Sequence, residues 1–346
     1  MKINRSIRRL NNEILLFSSQ LKDISKGYPV FMNIELTNRC NLNCVTCPRQ
    51  SMTRKIGDMN LELFEKIINE SAGLVRHIRL HFMGEPLFHG ELLKIIDLCS
   101  TNSIRTILST NVTLLDETMS KRLLTSGLNQ LVLCMDGTTK DTYEKIRVGA
   151  SFEVTKDNIL RFLKKREELG RFGPQIFLNI LETKINQHQF LEFKKEWEKF
   201  EDLVVGTKLL TDWAGGVPNI ESILIKHKDA QSVQIPCDIL WTEITILWDG
   251  RVVPCCRDFN GTTILGDINR DSIRSMWNSK TMRWIRSQHL RGRQSEVPLC
   301  TNCIDWKWYR LSSLPPPYMP IVWWLRHAKN IIIKRKKCNC FWCKRT

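Results

Sequence analysis

A chain of 346 residues, 42% apolar and 25% charged, can bury one large core or two medium ones, and this composition excludes a fibrous or wholly disordered protein. The formal charge of +16 points to anionic partners, yet residues 317–346 hold eight Lys and Arg and no Asp or Glu, so half of the excess is a tail and the body is only moderately basic. No apolar run approaches the ~20 residues that span a bilayer, and thirteen cysteines behind a start without an apolar signal segment predict a reducing, cytoplasmic setting where clustered thiols bind metal.

In chain order, apolar positions at Ile7, Leu10, Ile14, Leu15, Phe17 and Leu21 predict a basic amphipathic helix within residues 1–29. The pattern then changes to a buried strand over 30–36, and a loop holding Cys40, Cys44 and Cys47 follows it directly. Helices over 60–72, 91–101, 117–125, 154–169 and 187–199 alternate with strands over 77–82, 106–109, 130–135, 175–181 and 203–209. Six β/α units in a row predict an α/β fold: a parallel sheet with helices outside it, curled into a full or partial (β/α)6 barrel across 30–210. In such folds chemistry gathers at the carboxyl ends of the strands. The polar loops there are 40–47, Met83-Gly84-Glu85-Pro86, Ser109-Thr110-Asn111 and Asp136-Gly137. Gly, Asn and Asp favour turns anyway, but four such loops in series with a cysteine triad point to one shared mouth. Three thiols at C-x3-C-x2-C spacing, with no fourth close by, suit one corner of a [4Fe–4S] cube and leave one iron open.

Residues 211–235 have no periodicity and are predicted to link the barrel to a small Cys-rich β-hairpin/α unit over 236–312. There, strands over 242–248 and 251–254 flank Asp249-Gly250, a strong hairpin signal that returns Cys255 towards Cys237. A helix over 272–279 precedes Cys300-Thr301-Asn302-Cys303. Cys237, Cys255, Cys300 and Cys303 thus form a second, fully ligated candidate site, for which spacing alone leaves zinc and iron–sulfur both open, and Cys256 is the alternative to Cys255. Cys338, Cys340 and Cys343 stay unassigned, while Cys99 and Cys134 are predicted to be small buried hydrophobes. Arg147 and Asp238 are candidate acid–base groups. The basic, Trp- and Cys-containing tail over 313–346, with its apolar run at 321–325, has the composition of a peripheral membrane anchor.

The cysteine triad after the first strand and the Gly84-Glu85-Pro86 stretch after the second resemble the radical S-adenosylmethionine (SAM) superfamily over about residues 30–210. The resemblance implies that Cys40, Cys44 and Cys47 hold a [4Fe–4S] cluster whose open iron is chelated by SAM. It also implies that Gly84 and Glu85 contact the methionyl amino group, with Met83 replacing the first glycine of the family motif, and that Ser109 and Asn111 approach the ribose or carboxylate. Thr46 stands where the family often has a bulkier residue near the adenine. The order Cys237, Gly250-x4-Cys255, Leu265-Gly266-Asp267-Ile268, Cys300-x2-Cys303 is similar to the SPASM/Twitch extension, and the absence of cysteine over 304–337 fits the one-cluster Twitch version with an auxiliary [4Fe–4S] cluster. Together these resemblances imply a radical SAM oxidoreductase, served by a reducing donor of flavodoxin or ferredoxin type, that oxidises a small molecule such as a sugar-like alcohol. The alternative within the family is a maturase of ribosomally made peptides, against which the short segment 1–28 counts. From another class, a non-enzymatic zinc protein binding nucleic acid through the basic tail would leave Gly84-Glu85 and the barrel mouth without a purpose.

Overall fold

The computed structural model describes residues 22–170, 173–225 and 236–306. Six strands, Phe31–Ile34 (β1), His77–Arg79 (β2), Arg105–Thr110 (β3), Gln130–Cys134 (β4), Gln175–Glu182 (β5) and Leu203–Leu209 (β6), lie parallel, each beside its predecessor in sequence. Such neighbours need crossovers, and the helices Leu61–Ser71, Leu92–Thr101, Glu117–Leu124, Phe152–Glu168 and Phe190–Trp197 supply them. Local chemistry starts several of these: Asn60, Asp116 and Ser151 each cap a free backbone N–H of the first turn. The core lies between sheet and helices, with Met32, Ile34, Ile78, Leu108, Leu131, Leu133 and Ile176 fully buried. This is the predicted α/β fold with a partial barrel.

The Asp249-Gly250 hairpin forms, with Gly250 at φ +91°, but it does not stand apart from the barrel. Its first strand, Glu243–Ile246 (β7), pairs in parallel with β1 from Phe31↔Glu243 to Ile34↔Ile246. Arg251–Val253 (β8) and Gly266–Asp267 (β9) then extend the same sheet to nine strands, in the order β6-β5-β4-β3-β2-β1-β7-β8-β9. The cysteine-rich region is thereby anchored to the strand that launches the first cysteine loop.

Some expected elements differ. The second strand stops at Arg79 rather than 82, where the chain leaves the ladder to enter the mouth. A helix at Lys140–Ile146, too short to show periodicity, delivers Arg147, and a second helix at Lys280–Leu290 follows Ile273–Trp277. The helix predicted within 1–29 falls outside the described residues up to 21. Residues 22–24 and 26–27 form bends instead, held where Ser25 exchanges two 2.9 Å hydrogen bonds with Asn278. The tail and its three cysteines also lie outside the described residues. Among the described residues no helix is long and apolar enough to cross a membrane.

Candidate functional site

At the carboxyl ends of the strands a cavity of about 570 Å³ is lined by Cys40, Cys44, Cys47, Met83, Gly84, Glu85, Ser109 and Asn111, together with groups from later in the chain. The cysteine loop is clamped from two sides. Glu85 N–H donates to the Arg39 carbonyl at 2.7 Å, while Asn43 and Val45 N–H donate to Val148 and Ile146 at 2.8 and 3.0 Å. Gly84 is required at the first clamp. Its φ is +93°, and a Cβ there would lie 2.6 Å from the Thr37 carbonyl and 2.7 Å from that of Arg39.

Glu85 is buried, and its carboxylate accepts from Thr110 Oγ1 and Asn111 N–H, both at 2.7 Å, and from Leu87 N–H at 3.1 Å. Burial pushes its carboxyl up to about 7 against the pull of those donors. Its first task is therefore to hold the end of β3 against the cysteine loop. Asn111 extends that hold, since its Nδ2 donates to Asn41 Oδ1 at 3.0 Å and lies 3.8 Å from Cys40 Sγ. Ser109 Oγ and Cys134 Sγ are 3.3 Å apart on the same wall.

Asp136 is the anchor of a cation. Its carboxylate accepts from Arg147 Nε at 2.6 Å and from Leu181 N–H at 2.7 Å, and Arg147 Nη1 reaches to 4.0 Å of Cys44 Sγ. Burial would lower the Arg147 pKa, but Asp136 and the Cys44 thiol raise it well above its ordinary value. Arg147 is thus a fixed charge beside the thiols, not an acid–base group. Asp238 is not among the residues lining the cavity.

The second thiol group is assembled by the hairpin and the chain's last described turn. Cys255, Cys300 and Cys303 are buried and Cys237 is half-buried, and none of the ten described cysteines forms a disulfide. Burial raises the Cys237 thiol well above its usual range, and the neighbouring charges of Asp238, Cys255, Cys303 and Cys300 add to this. Burial also brings Cys300 and Cys303 to about 12. His289, which no sequence pattern marks, joins two of them. Its Nδ1 accepts from Cys237 N–H at 3.1 Å and its Nε2 lies 3.4 Å from Cys300 Sγ. Burial lowers the ring to about 4, so it is neutral, and the Nδ1 acceptor leaves the proton on Nε2, pointing at sulfur. Cys256 turns the other way and lines the main cavity with Arg257.

Both thiol sets fit iron–sulfur clusters by donor chemistry: the thiols are free, three of them line an open cavity, and of the other four three are buried and one is half-buried. Among the described residues no group of three or more His, Cys, Asp or Glu is placed to hold a single metal ion. His81, Lys208, Trp213, Cys256 and Arg257 also line the cavity, and no sequence signal singles them out as a group, because only the fold brings them to the mouth.

Residues 34–169 match the model of the radical SAM superfamily, and residues 237–304 match that of the SPASM iron–sulfur cluster-binding domain. The chain is 24% identical over 314 residues to a "tungsten-containing aldehyde ferredoxin oxidoreductase cofactor-modifying protein" of Pyrococcus furiosus, covering 79% of this chain and 86% of the relative. It is 23% identical over 281 residues to an "S-adenosyl-L-methionine-dependent 2-deoxy-scyllo-inosamine dehydrogenase" of Niallia circulans, covering 79% and 91%. Its fold is similar to that of Streptococcus suis SuiB bound to S-adenosylmethionine, with TM-score 0.63 at 16% identity over 80% of this chain and 72% of that one. The cofactors that accompany these two matched regions are SAM, the radical SAM [4Fe–4S] cluster and an auxiliary iron–sulfur cluster. The chain belongs to the radical SAM superfamily of enzymes and carries a C-terminal SPASM iron–sulfur domain.

Proposed function

We propose that this radical SAM enzyme is an oxidoreductase that converts a secondary alcohol of a small, sugar-like molecule to a carbonyl. Cys40, Cys44 and Cys47 would hold the SAM-binding cluster, and Cys237, Cys255, Cys300 and Cys303 the auxiliary one. When bound, these groups supply a 5′-deoxyadenosyl radical that takes one hydrogen atom from the substrate, and an acceptor for the electron left behind as a proton departs. The chain's own residues hold and orient. Gly84 lets the backbone approach the cysteine loop, Glu85 and Asn111 fix the β3 end beside it, Ser109 offers a hydroxyl to the ligand, and Arg147 balances thiolate charge. The low-potential electron would come from a flavodoxin- or ferredoxin-type donor.

The observation that carries this reading is one cavity lined by Cys40, Cys44 and Cys47 on one side and by Cys256, next to Cys255 of the second thiol set, on another. A substrate between two redox centres can lose a hydrogen atom to one and an electron to the other. The volume, shared with SAM, suits a small molecule. Anaerobically reconstituted, reduced protein should cleave SAM to 5′-deoxyadenosine, and Cys44→Ala should abolish this; if no 5′-deoxyadenosine forms in the wild type, the proposal is wrong. Transfer of a carbinol deuterium from substrate to 5′-deoxyadenosine, with a carbonyl product, distinguishes alcohol oxidation from peptide maturation.

A further inference from the structure

Five cations, Arg49, Arg79, Arg147, Lys208 and Arg257, line the cavity against two carboxylates, Glu85 and Glu243. Most of this charge is already matched. Arg147 is paired with Asp136 at 2.6 Å, Arg79 with Glu243 at 2.7 Å, and Arg257 with Asp305. Arg49 stays by the cysteine loop, with its Nε 3.3 Å from the Asn38 carbonyl. Lys208 makes no ion pair among the described residues, and its side chain is exposed at the end of β6.

The neighbourhood of Lys208 is built rather than incidental. Three strands separate β6 from β2 in the sheet. Yet Lys208, Arg79 and His81, just past β2, line one cavity, and burial with the charges of Lys208 and Arg79 pushes His81 down to about 3. The curl of the barrel therefore brings the lysine across the mouth to a neutral imidazole and a guanidinium. Arg79 is itself held in place by Glu243, by Asn33 Oδ1 at 3.1 Å and by the Phe31 ring at 4.6 Å. Beside this wall the Arg257 guanidinium lies 5.4 Å from the centre of the Trp213 ring, and Phe82 lies 6.1 Å from the same ring. An exposed ammonium that shares a cavity with a fixed guanidinium and a neutral hydrogen-bonding ring, at the edge of an aromatic surface, is the donor set of an oxyanion site.

We propose that the substrate carries an oxyanion, a phosphate or carboxylate, and that Lys208 binds it with His81 and Arg79 as its frame; this rests on the radical SAM reading of the same cavity. The anion would anchor one end of the molecule at the wall formed by β2 and β6, leaving the oxidised carbon free to face the cysteine loop.

The test uses reconstituted holoenzyme with SAM and titrates inorganic phosphate and acetate by calorimetry at constant ionic strength. Saturable binding of at least one is expected, weakened on the order of tenfold or more in Lys208→Met and largely restored in Lys208→Arg. Lys195→Met, which removes the same charge from an outer helix, should leave the affinity unchanged. Tighter binding of phosphate assigns a phosphorylated substrate, and tighter binding of acetate a carboxylated one. Absence of binding by both anions, or equal affinity in wild type and Lys208→Met, overturns the proposal. Wild-type 5′-deoxyadenosine formation is read in the same preparation; anion binding without it would sink the parent reading and leave the anion site standing.

Discussion

A single imidazole illustrates how much of the second thiol site depends on groups outside the cysteine pattern. His289 sits on the helix Lys280–Leu290, eleven positions before Cys300, and nothing in its spacing sets it apart from a buried core histidine. Its role comes from two contacts, the Cys237 N–H that takes Nδ1 and the Cys300 sulfur that faces Nε2. An N–H directed at a ligand sulfur stabilises the more electron-rich state of a cluster held there. Replacing His289 with Phe should therefore make the auxiliary cluster harder to reduce. A differential of about 1.4 kcal/mol between oxidation states corresponds to about 59 mV for one electron. The midpoint potential, followed by electron paramagnetic resonance during redox titration, should fall by that order, and Gln at 289 should recover part of it. An unchanged potential in His289→Phe would show that the bond does not reach the electronic structure of the site. By contrast, the stretch Gly84-Glu85-Pro86 is conspicuous in the sequence for its likeness to a ligand-binding motif, and the left-handed φ gives a separate, backbone reason why glycine is needed there.

At the scale of elements, the alternation of strands and helices disclosed the barrel because each unit is local. What it could not disclose is the pairing of β1 with β7, whose partners Asn33 and Thr245 are 212 residues apart. The same junction hides an ion pair. Arg54 Nη1 and Nη2 lie 2.8 and 2.7 Å from the two oxygens of Glu35, with side-chain exposures of 2% and 0%. Arg54 Nε also donates to the Phe259 carbonyl at 2.8 Å, and Glu35 accepts from Trp248 N–H at 3.2 Å. The pair thus ties the strand that launches the cysteine loop to the hairpin that carries Cys255. Removing one member strands a buried charge, so Glu35→Ala should destabilise the loaded protein by about 3–5 kcal/mol. Glu35→Ala with Arg54→Met should be less damaging than Glu35→Ala alone. Denaturant midpoints of the three variants and the wild type check this, and equal losses in the single and double variants would refute the coupling.

For the whole molecule, the two thiol sets make stability a function of both metal and pH. Burial brings Cys47, Cys300 and Cys303 to about 12 and raises Cys40, Cys44, Cys237 and Cys255 as well. An unfolded cysteine titrates near 8.5, roughly. Between that value and about 12 the folded, metal-free chain retains protons that the unfolded chain has released. Stability is then fully present below the unfolded value and declines as pH rises through the window. Cluster binding reverses the dependence, because ligation requires thiolates: protons leave on loading, and a bound thiolate has none left to lose. The metal-free protein should therefore show a falling Tm from pH 8 to pH 10, whereas the fully reconstituted protein should melt higher throughout and lose less over the same interval. Differential scanning calorimetry on both forms, under anaerobic conditions and at equal ionic strength, supplies the comparison. Parallel slopes for the two forms would mean that the buried thiols do not control the alkaline limit, and that another set of groups on this basic chain does.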